Sequence, residues 1–137
     1  MWFKTSKNNK IKTFKYLILI YISDNMKVNL EEMYKDPVYG DFIKRYAKPG
    51  KEKLVAILLK IYEEVYKNTT PKLDFKKALQ SGLTKEPNWF ENYEIDESIE
   101  KDILEKAFKD NRLTKKEREM IIGEYNLGSA PKRKQSN

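Results

Sequence analysis

Apolar residues recur at helical spacing through most of this chain, and short polar segments separate the runs. The longest run covers residues 51–67. One face of it carries Leu54, Ile57, Leu58, Ile61 and Val65, and the stripe is widened by Val55, Leu59, Tyr62 and Tyr66. A helix that is apolar over most of its circumference is typical of the interior of a bundle. We therefore predict that residues 51–67 form the central helix.

Two helix starts precede this central helix. Asn29 is a capping residue, and Glu32 stands three positions later as its capping-box partner. Asp36 followed by Pro37 is a second start, with Asp as the cap and Pro in the first turn. The apolar positions of this second helix are Val38, Tyr39, Phe42, Ile43 and Tyr46. The sequence Lys48-Pro49-Gly50 ends it.

Three further starts follow residue 67. Asp74 caps a short helix that runs through Leu79, and Gly82 suits its C-terminal cap. Asp96 caps the next helix. Thr114 and Glu117 form a second capping box. The apolar faces of the last two helices carry Ile99, Ile103, Leu104, Ala107 and Phe108, then Met120, Ile121 and Tyr125.

No alternating apolar and polar run is long enough to require a sheet. We predict an all-α fold, a single small bundle of about five helices over residues 26–127. An N-terminal extension (residues 1–25) precedes this domain, and residues 128–137, which lack apolar spacing, are expected to form a basic disordered tail.

Residues 1–25 contain a lysine-bearing polar run followed by seven apolar or aromatic residues, 16–22. Seven residues are too few for a membrane-spanning helix, which needs about 20. Three interpretations stay open: translation that begins at Met26, a segment that targets or tethers the protein to a membrane, and a part of the fold. We expect a cytoplasmic protein, associated with a membrane only if this segment tethers it.

The composition excludes several kinds of chemistry. The 137 residues include no Cys and no His, so disulfides, thiolate sites and His-based catalytic arrangements are excluded. An acidic run comprises Glu86, Glu91, Glu94, Asp96, Glu97, Glu100, Asp102 and Glu105. We interpret this run as a solvated face and a helix cap, because acidic residues are favoured at helix starts. We expect a non-catalytic protein with no cofactor and no metal.

The positive charge is concentrated at the two ends. The chain has 28 Lys and Arg residues and 21 Asp and Glu residues, a net charge of +7. Residues 1–25 hold five Lys and one Asp, and residues 128–137 hold three cations and no acid. The remaining residues, 26–127, therefore carry 20 basic and 20 acidic groups and are neutral overall. This neutrality counts against a nucleic-acid binder, which usually carries its excess charge on the fold.

The leading functional hypothesis concerns the aromatic segment before residue 96. Aromatic side chains in a loop are typical of protein-binding hot spots. The candidate protein-binding residues are Trp89, Phe90, Tyr93, Glu94 and Glu97. We expect a protein-interaction or regulatory module with a protein partner. The alternative is that the aromatic rings plug the open end of the bundle.

The second hypothesis is a nucleic-acid-binding accessory protein. Its candidate residues are Lys44, Arg45, Lys48, Lys51, Lys53, Arg112, Lys115, Lys116, Lys132, Arg133 and Lys134. The turn at residues 111–113, followed by basic residues, is also compatible with a helix-turn-helix. A capped and solvated helical hairpin is the alternative there.

A family resemblance concerns the C-terminal part. The pattern Trp89-Phe90-x-x-Tyr93, a helix pair and then Tyr125-Asn126-Leu127-Gly128-Ser129-Ala130-Pro131-Lys132 resembles small uncharacterised proteins from prophages and other mobile elements of AT-rich bacteria. The resemblance implies no activity.

Overall fold

A computed structural model describes residues 25–127, and these residues form six α-helices. They are α1 (Leu30–Lys35), α2 (Pro37–Tyr46), α3 (Glu52–Lys67), α4 (Phe75–Ser81), α5 (Glu97–Asp110) and α6 (Lys115–Leu127). Two 3-10 helices, Leu83–Lys85 and Trp89–Asn92, lie between α4 and α5. The predicted all-α fold is confirmed. No helix among these residues is both long and apolar enough to cross a bilayer. The expectations for residues 1–24 and for the tail, 128–137, lie outside the described residues.

The predicted caps are the ones that start the helices. In four cases the capping side chain accepts a backbone N–H: Asn29 from Glu32 (3.1 Å), Asp36 from Val38 (2.8 Å), Asp74 from Lys77 (3.1 Å) and Asp96 from Ser98 (2.8 Å). Thr114 and Glu117 form the reciprocal capping box, with distances of 2.8 and 3.1 Å. These local hydrogen bonds set the helix boundaries because they satisfy N–H groups that have no partner within the helix.

Helix α3 is the central helix, as its pattern predicts. It contacts each of the other five α-helices. Ala56, Ile57, Ile61, Val65 and Tyr66 are fully buried along it. The aromatic part of the core lies at its second half, where the Tyr62 ring is 5.2 Å from Phe75 and 5.4 Å from Tyr125.

Helices α3 and α5 run antiparallel. Thr70, just after α3, forms an antiparallel bridge with Glu94, just before α5, through hydrogen bonds of 2.7 and 3.2 Å. With 16 residues, α3 is about 24 Å long. The end of α3 and the start of α5 therefore share one pole of the bundle. The start of α3 and the end of α5 share the other.

The first described residues are fixed to the end of α5. The backbone N–H of Met26 donates to Asp110 at 2.8 Å, and the Met26 carbonyl accepts from the Asn111 amide at 2.9 Å. The N–H of Val28 donates to Asn111 at 2.8 Å. Met26 and Val28 are both buried, so this short segment belongs to the core.

Candidate functional site

A groove lies at the pole where α3 starts and α5 turns into α6. Its volume is about 390 Å³. The lining residues from the start of α3 are Gly50, Lys51, Lys53 and Leu54, and those from the α5–α6 turn and α6 are Asn111, Arg112, Leu113, Lys116, Glu117 and Met120. We call this the basic groove. It brings together two sets of candidate residues that are about sixty positions apart in the sequence.

The charge of the basic groove is strongly positive. Lys51, Lys53, Arg112 and Lys116 line it, and all four are exposed. Glu117 is its one carboxylate, and it accepts the Thr114 N–H at 2.8 Å as part of the capping box. Among residues 25–127, no carboxylate lies within ion-pair distance of any of the four cations. Four cations without counterions in one concave surface attract anions.

The backbone at the start of α3 forms one end of the groove wall. Gly50 has φ +85°, a left-handed conformation that glycine adopts without strain. It turns the chain from α2 into α3. Lys51 occupies the N-cap position of α3 and makes no capping hydrogen bond with its side chain. Glu52, in the first turn of α3, accepts the Gly50 N–H at 3.0 Å, so its carboxylate offsets the positive end of the α3 dipole.

Arg112 has an unusual backbone conformation. Its φ is +50°, in the left-handed region that costs an L-residue roughly 1–2 kcal/mol. Glycine or asparagine is the common choice at such a position, because glycine has no Cβ and asparagine tolerates this conformation. The chain instead carries a long cationic side chain there, and that side chain lines the basic groove.

The other basic candidates are not part of the groove lining. Lys44 lies over the Tyr34 ring, 5.9 Å from its centroid, and Arg45 pairs with Asp41 at 2.9 Å. Lys48 and Lys115 are exposed and lie close in sequence to lining residues. Lys132, Arg133 and Lys134 lie outside the described residues. The structure thus assembles four of the eleven basic candidates at one place.

The aromatic candidates lie at the opposite pole, and Trp89 is a core residue. Its exposure is 5%, and its ring packs 5.2 Å from Tyr66 and 6.4 Å from Phe75. This corrects the expectation of an exposed tryptophan at a protein-binding site and agrees with the alternative of an aromatic plug. Phe90 and Tyr93 are half-buried against the core.

The acidic candidates near these rings are largely exposed. Glu94 and Glu97 face solvent, and Glu91 is exposed as well. The same pole also carries the exposed cations Lys67, Lys72 and Lys85, so charges of both signs are present there.

Glu100 corrects another expectation. The sequence placed it in a solvated acidic run, but its exposure is 1% and it accepts a hydrogen bond from the hydroxyl of Tyr125. Burial, together with the Glu100 carboxyl, raises the pKa of Tyr125 well above its usual range. Glu64 is also buried, and Lys67 lies 3.3 Å from it. Neither carboxylate lines the basic groove.

Sequence reasoning missed two features of this region. It assigned Tyr46 to the apolar stripe of α2, but Tyr46 is 61% exposed, because α2 ends at this residue and the chain turns away. It also left the groove undetected. The groove depends on the approach of the α5–α6 turn to the start of α3, and the helical pattern carries no signal for it.

Comparisons with known proteins add no family to this description. No protein-family model, no curated protein and no solved structure matches the chain.

Proposed function

We propose that this protein is a non-catalytic binding module whose basic groove binds the phosphate backbone of a nucleic acid. One observation carries the proposal: Lys51, Lys53, Arg112 and Lys116 converge on one groove and have no counterion among the described residues. A phosphate backbone supplies closely spaced negative charges, and cations of this kind bind it by releasing its counterions.

The surroundings of the groove favour an extended polyanion over a single small anion. Lys48, Lys115 and Arg118 are exposed in the same two chain segments, so cations extend beyond the groove, and Glu119 is the one exposed acid in these segments. A run of phosphates can contact several of these cations at once, which a single small anion cannot do.

The Arg112 side chain also supports this proposal. Its left-handed backbone closes α5 in a common C-terminal turn, in which the Leu113 N–H donates to the Phe108 carbonyl at 3.1 Å. Its guanidinium has no carboxylate within ion-pair distance among residues 25–127. Phosphate recognition gives the side chain a partner, because the planar guanidinium suits phosphate oxygens.

The test is fluorescence anisotropy with labelled oligonucleotides of about 16 nucleotides, single-stranded and duplex, at several salt concentrations. We expect the logarithm of the association constant to fall with the logarithm of the salt concentration, by about 0.7–0.9 for each phosphate contact. Lys53→Gln combined with Arg112→Gln should reduce this slope by about 2. The matched control is Lys77→Gln with Lys101→Gln, which removes the same charge from exposed positions outside the groove.

Two results would count against the proposal. One is equally weak binding at low and high salt. The other is an equal loss of affinity in the groove variant and in the control variant, which would show that net charge alone determines binding.

A protein partner at the pole that carries Glu94 and Glu97 is the second candidate function. It is favoured by the exposed carboxylates of Glu94 and Glu97 beside the half-buried rings of Phe90 and Tyr93. A photo-crosslinking amino acid placed at position 97, or at position 53 as a control, and irradiated in the native host tests this candidate. A single defined protein adduct from position 97 and none from position 53 would support it. No adduct from position 97 would contradict it.

A further inference from the structure

Tyr46 is the most exposed large apolar side chain of the described chain. Its exposure is 61%, and the next is Ile122 at 41%. All other aromatic side chains among residues 25–127 are buried or half-buried. A single exposed ring is ordinary on a protein surface, so the neighbours of Tyr46 decide whether it has a role.

The Tyr46 ring is held in place. Its centroid is 4.7 Å from that of Phe42, one turn earlier on α2, with 44° between the ring planes. Phe42 is half-buried and packs against the core. The contact therefore limits the freedom of the Tyr46 ring and leaves much of its surface open to a ligand.

Tyr46 is also close to the basic groove. Gly50, which lines the groove, comes four positions after Tyr46, and four residues of chain span at most about 14 Å. Two exposed cations flank it in sequence, Lys48 and Arg45, of which Arg45 pairs with Asp41 at 2.9 Å. An aromatic ring among cations, beside a basic groove, is the arrangement found in proteins that bind single strands.

We propose that Tyr46 is a stacking platform for an unpaired base, and that the ligand of the basic groove is single-stranded nucleic acid. This inference rests on the proposed function. In a duplex each base is covered by its neighbours and the ring has no base face to contact. In a single strand a base can leave the stack and cover the ring while the backbone follows the cations of the groove.

The experiment compares Tyr46→Ala, Tyr46→Phe and the unchanged protein by anisotropy. The probes are labelled oligothymidylate, oligouridylate and a DNA duplex, each of about 16 nucleotides or base pairs. We expect Tyr46→Ala to weaken single-strand binding about 5- to 150-fold, the range for one lost base stack. Duplex binding should be unchanged, and Tyr46→Phe should keep near-normal affinity because it keeps the aromatic face. The oligothymidylate and oligouridylate titrations show whether DNA or RNA is preferred.

Tyr46→Trp gives an independent readout. A tryptophan at this exposed position should lose fluorescence when a base stacks on it. The same titration of the unchanged protein corrects for Trp2 and Trp89. Thermal unfolding of each variant checks that the fold is kept.

The outcomes separate the two proposals. If no oligonucleotide binds with a salt-dependent affinity, the proposed function fails and this inference fails with it. If the strands and the duplex bind but Tyr46→Ala weakens neither, or weakens both equally, only the stacking inference is overturned. A Tyr46→Trp signal that does not change on saturation with a single strand would also overturn it. Each of these results would leave Tyr46 without a role as a base-stacking platform.

Discussion

The side-chain nitrogen of Lys51 lies 3.9 Å from the sulfur of Met120, and this contact joins the start of α3 to the first half of α6. Both residues line the basic groove, so this contact lies in its wall. The antiparallel packing of α3 and α5 brings the two basic segments, which are distant in sequence, into one surface.

Replacing Arg112 by glycine is expected to stabilise the protein and weaken its ligand binding. Glycine removes the left-handed strain at φ +50°, and its greater flexibility in the unfolded chain offsets part of that gain. The expected net gain is about 0.5–1 kcal/mol in the free energy of unfolding, measured by urea denaturation. Binding of labelled oligonucleotide should weaken because one groove cation is lost.

The control for this prediction is Arg112→Lys, which keeps the charge and the backbone strain. It should leave the stability unchanged. A loss of stability in Arg112→Gly would show that the arginine side chain itself supports the fold.

Trp89→Ala is expected to destabilise the protein by about 3–5 kcal/mol, the cost of removing a large buried aromatic side chain. The indole is 5% exposed and contacts several other rings. Its N–H has no hydrogen-bond partner, so Trp89→Phe should cost much less. Asn92→Ala, at an exposed position of the same 3-10 helix, is the surface control. An unchanged melting temperature for Trp89→Ala would contradict the assignment of this residue to the core.

Asn111→Ala is expected to release the segment around Met26. The Asn111 side chain makes hydrogen bonds of 2.9 Å to the Met26 carbonyl, 2.8 Å to the Val28 N–H and 2.8 Å to the Ala107 carbonyl. Because partly buried backbone groups lose their hydrogen-bond partners, the free energy of unfolding should fall by about 2–4 kcal/mol. Hydrogen exchange of the Val28 amide should accelerate more than that of amides in the middle of α3. Uniform acceleration across the domain would mean that this segment does not open on its own.

Asp110 should make the stability fall in acid. The hydrogen bond from the Met26 N–H lowers the pKa of Asp110 below its ordinary value of 3.8; burial opposes this, and Lys106 assists it. A carboxyl whose pKa is lower in the folded state stabilises the fold above its unfolded pKa. This contribution disappears as the pH falls below about 4 and through the folded pKa.

Urea unfolding at a series of pH values checks this. Asp110→Asn should lose stability less steeply between about pH 5 and pH 2 than the unchanged protein. Some slope should remain, because the pKa of Asp36 is also lowered: burial raises it, but hydrogen bonds from Lys76 and from backbone N–H groups outweigh burial. Identical slopes for the variant and the unchanged protein would refute the role of Asp110.

The helix boundaries could be predicted from sequence because they depend on local chemistry. A capping side chain and the N–H group that it binds are two or three residues apart, as with Asp36 and Val38 or Thr114 and Glu117. The left-handed Gly82 after α4 is equally local. The central position of α3 followed from its broad apolar stripe, which leaves only a narrow polar side that carries Lys53, Lys60 and Lys67.

The candidate site could not be predicted because it depends on packing between distant segments. Lys53 and Arg112 were both candidates, but only the antiparallel arrangement of α3 and α5 places them in one groove. Packing also determined the burial of Trp89 and Glu100, which the sequence pattern did not predict. A helical acid is exposed in most contexts, whereas a loop aromatic can be either a binding hot spot or a plug of the bundle. Here the hydroxyl of Tyr125 and the ring cluster around Tyr66 hold Glu100 and Trp89 in the core.

The most direct test of the central claim is an amide chemical-shift titration of isotopically labelled protein with a single-stranded oligonucleotide of about 16 nucleotides. We predict that the largest shift changes occur at residues 50–54 and 112–120, with a further change at Tyr46, and that added salt reverses them. Changes concentrated at residues 90–97, or no change at a saturating concentration, would contradict a nucleic-acid site in the basic groove.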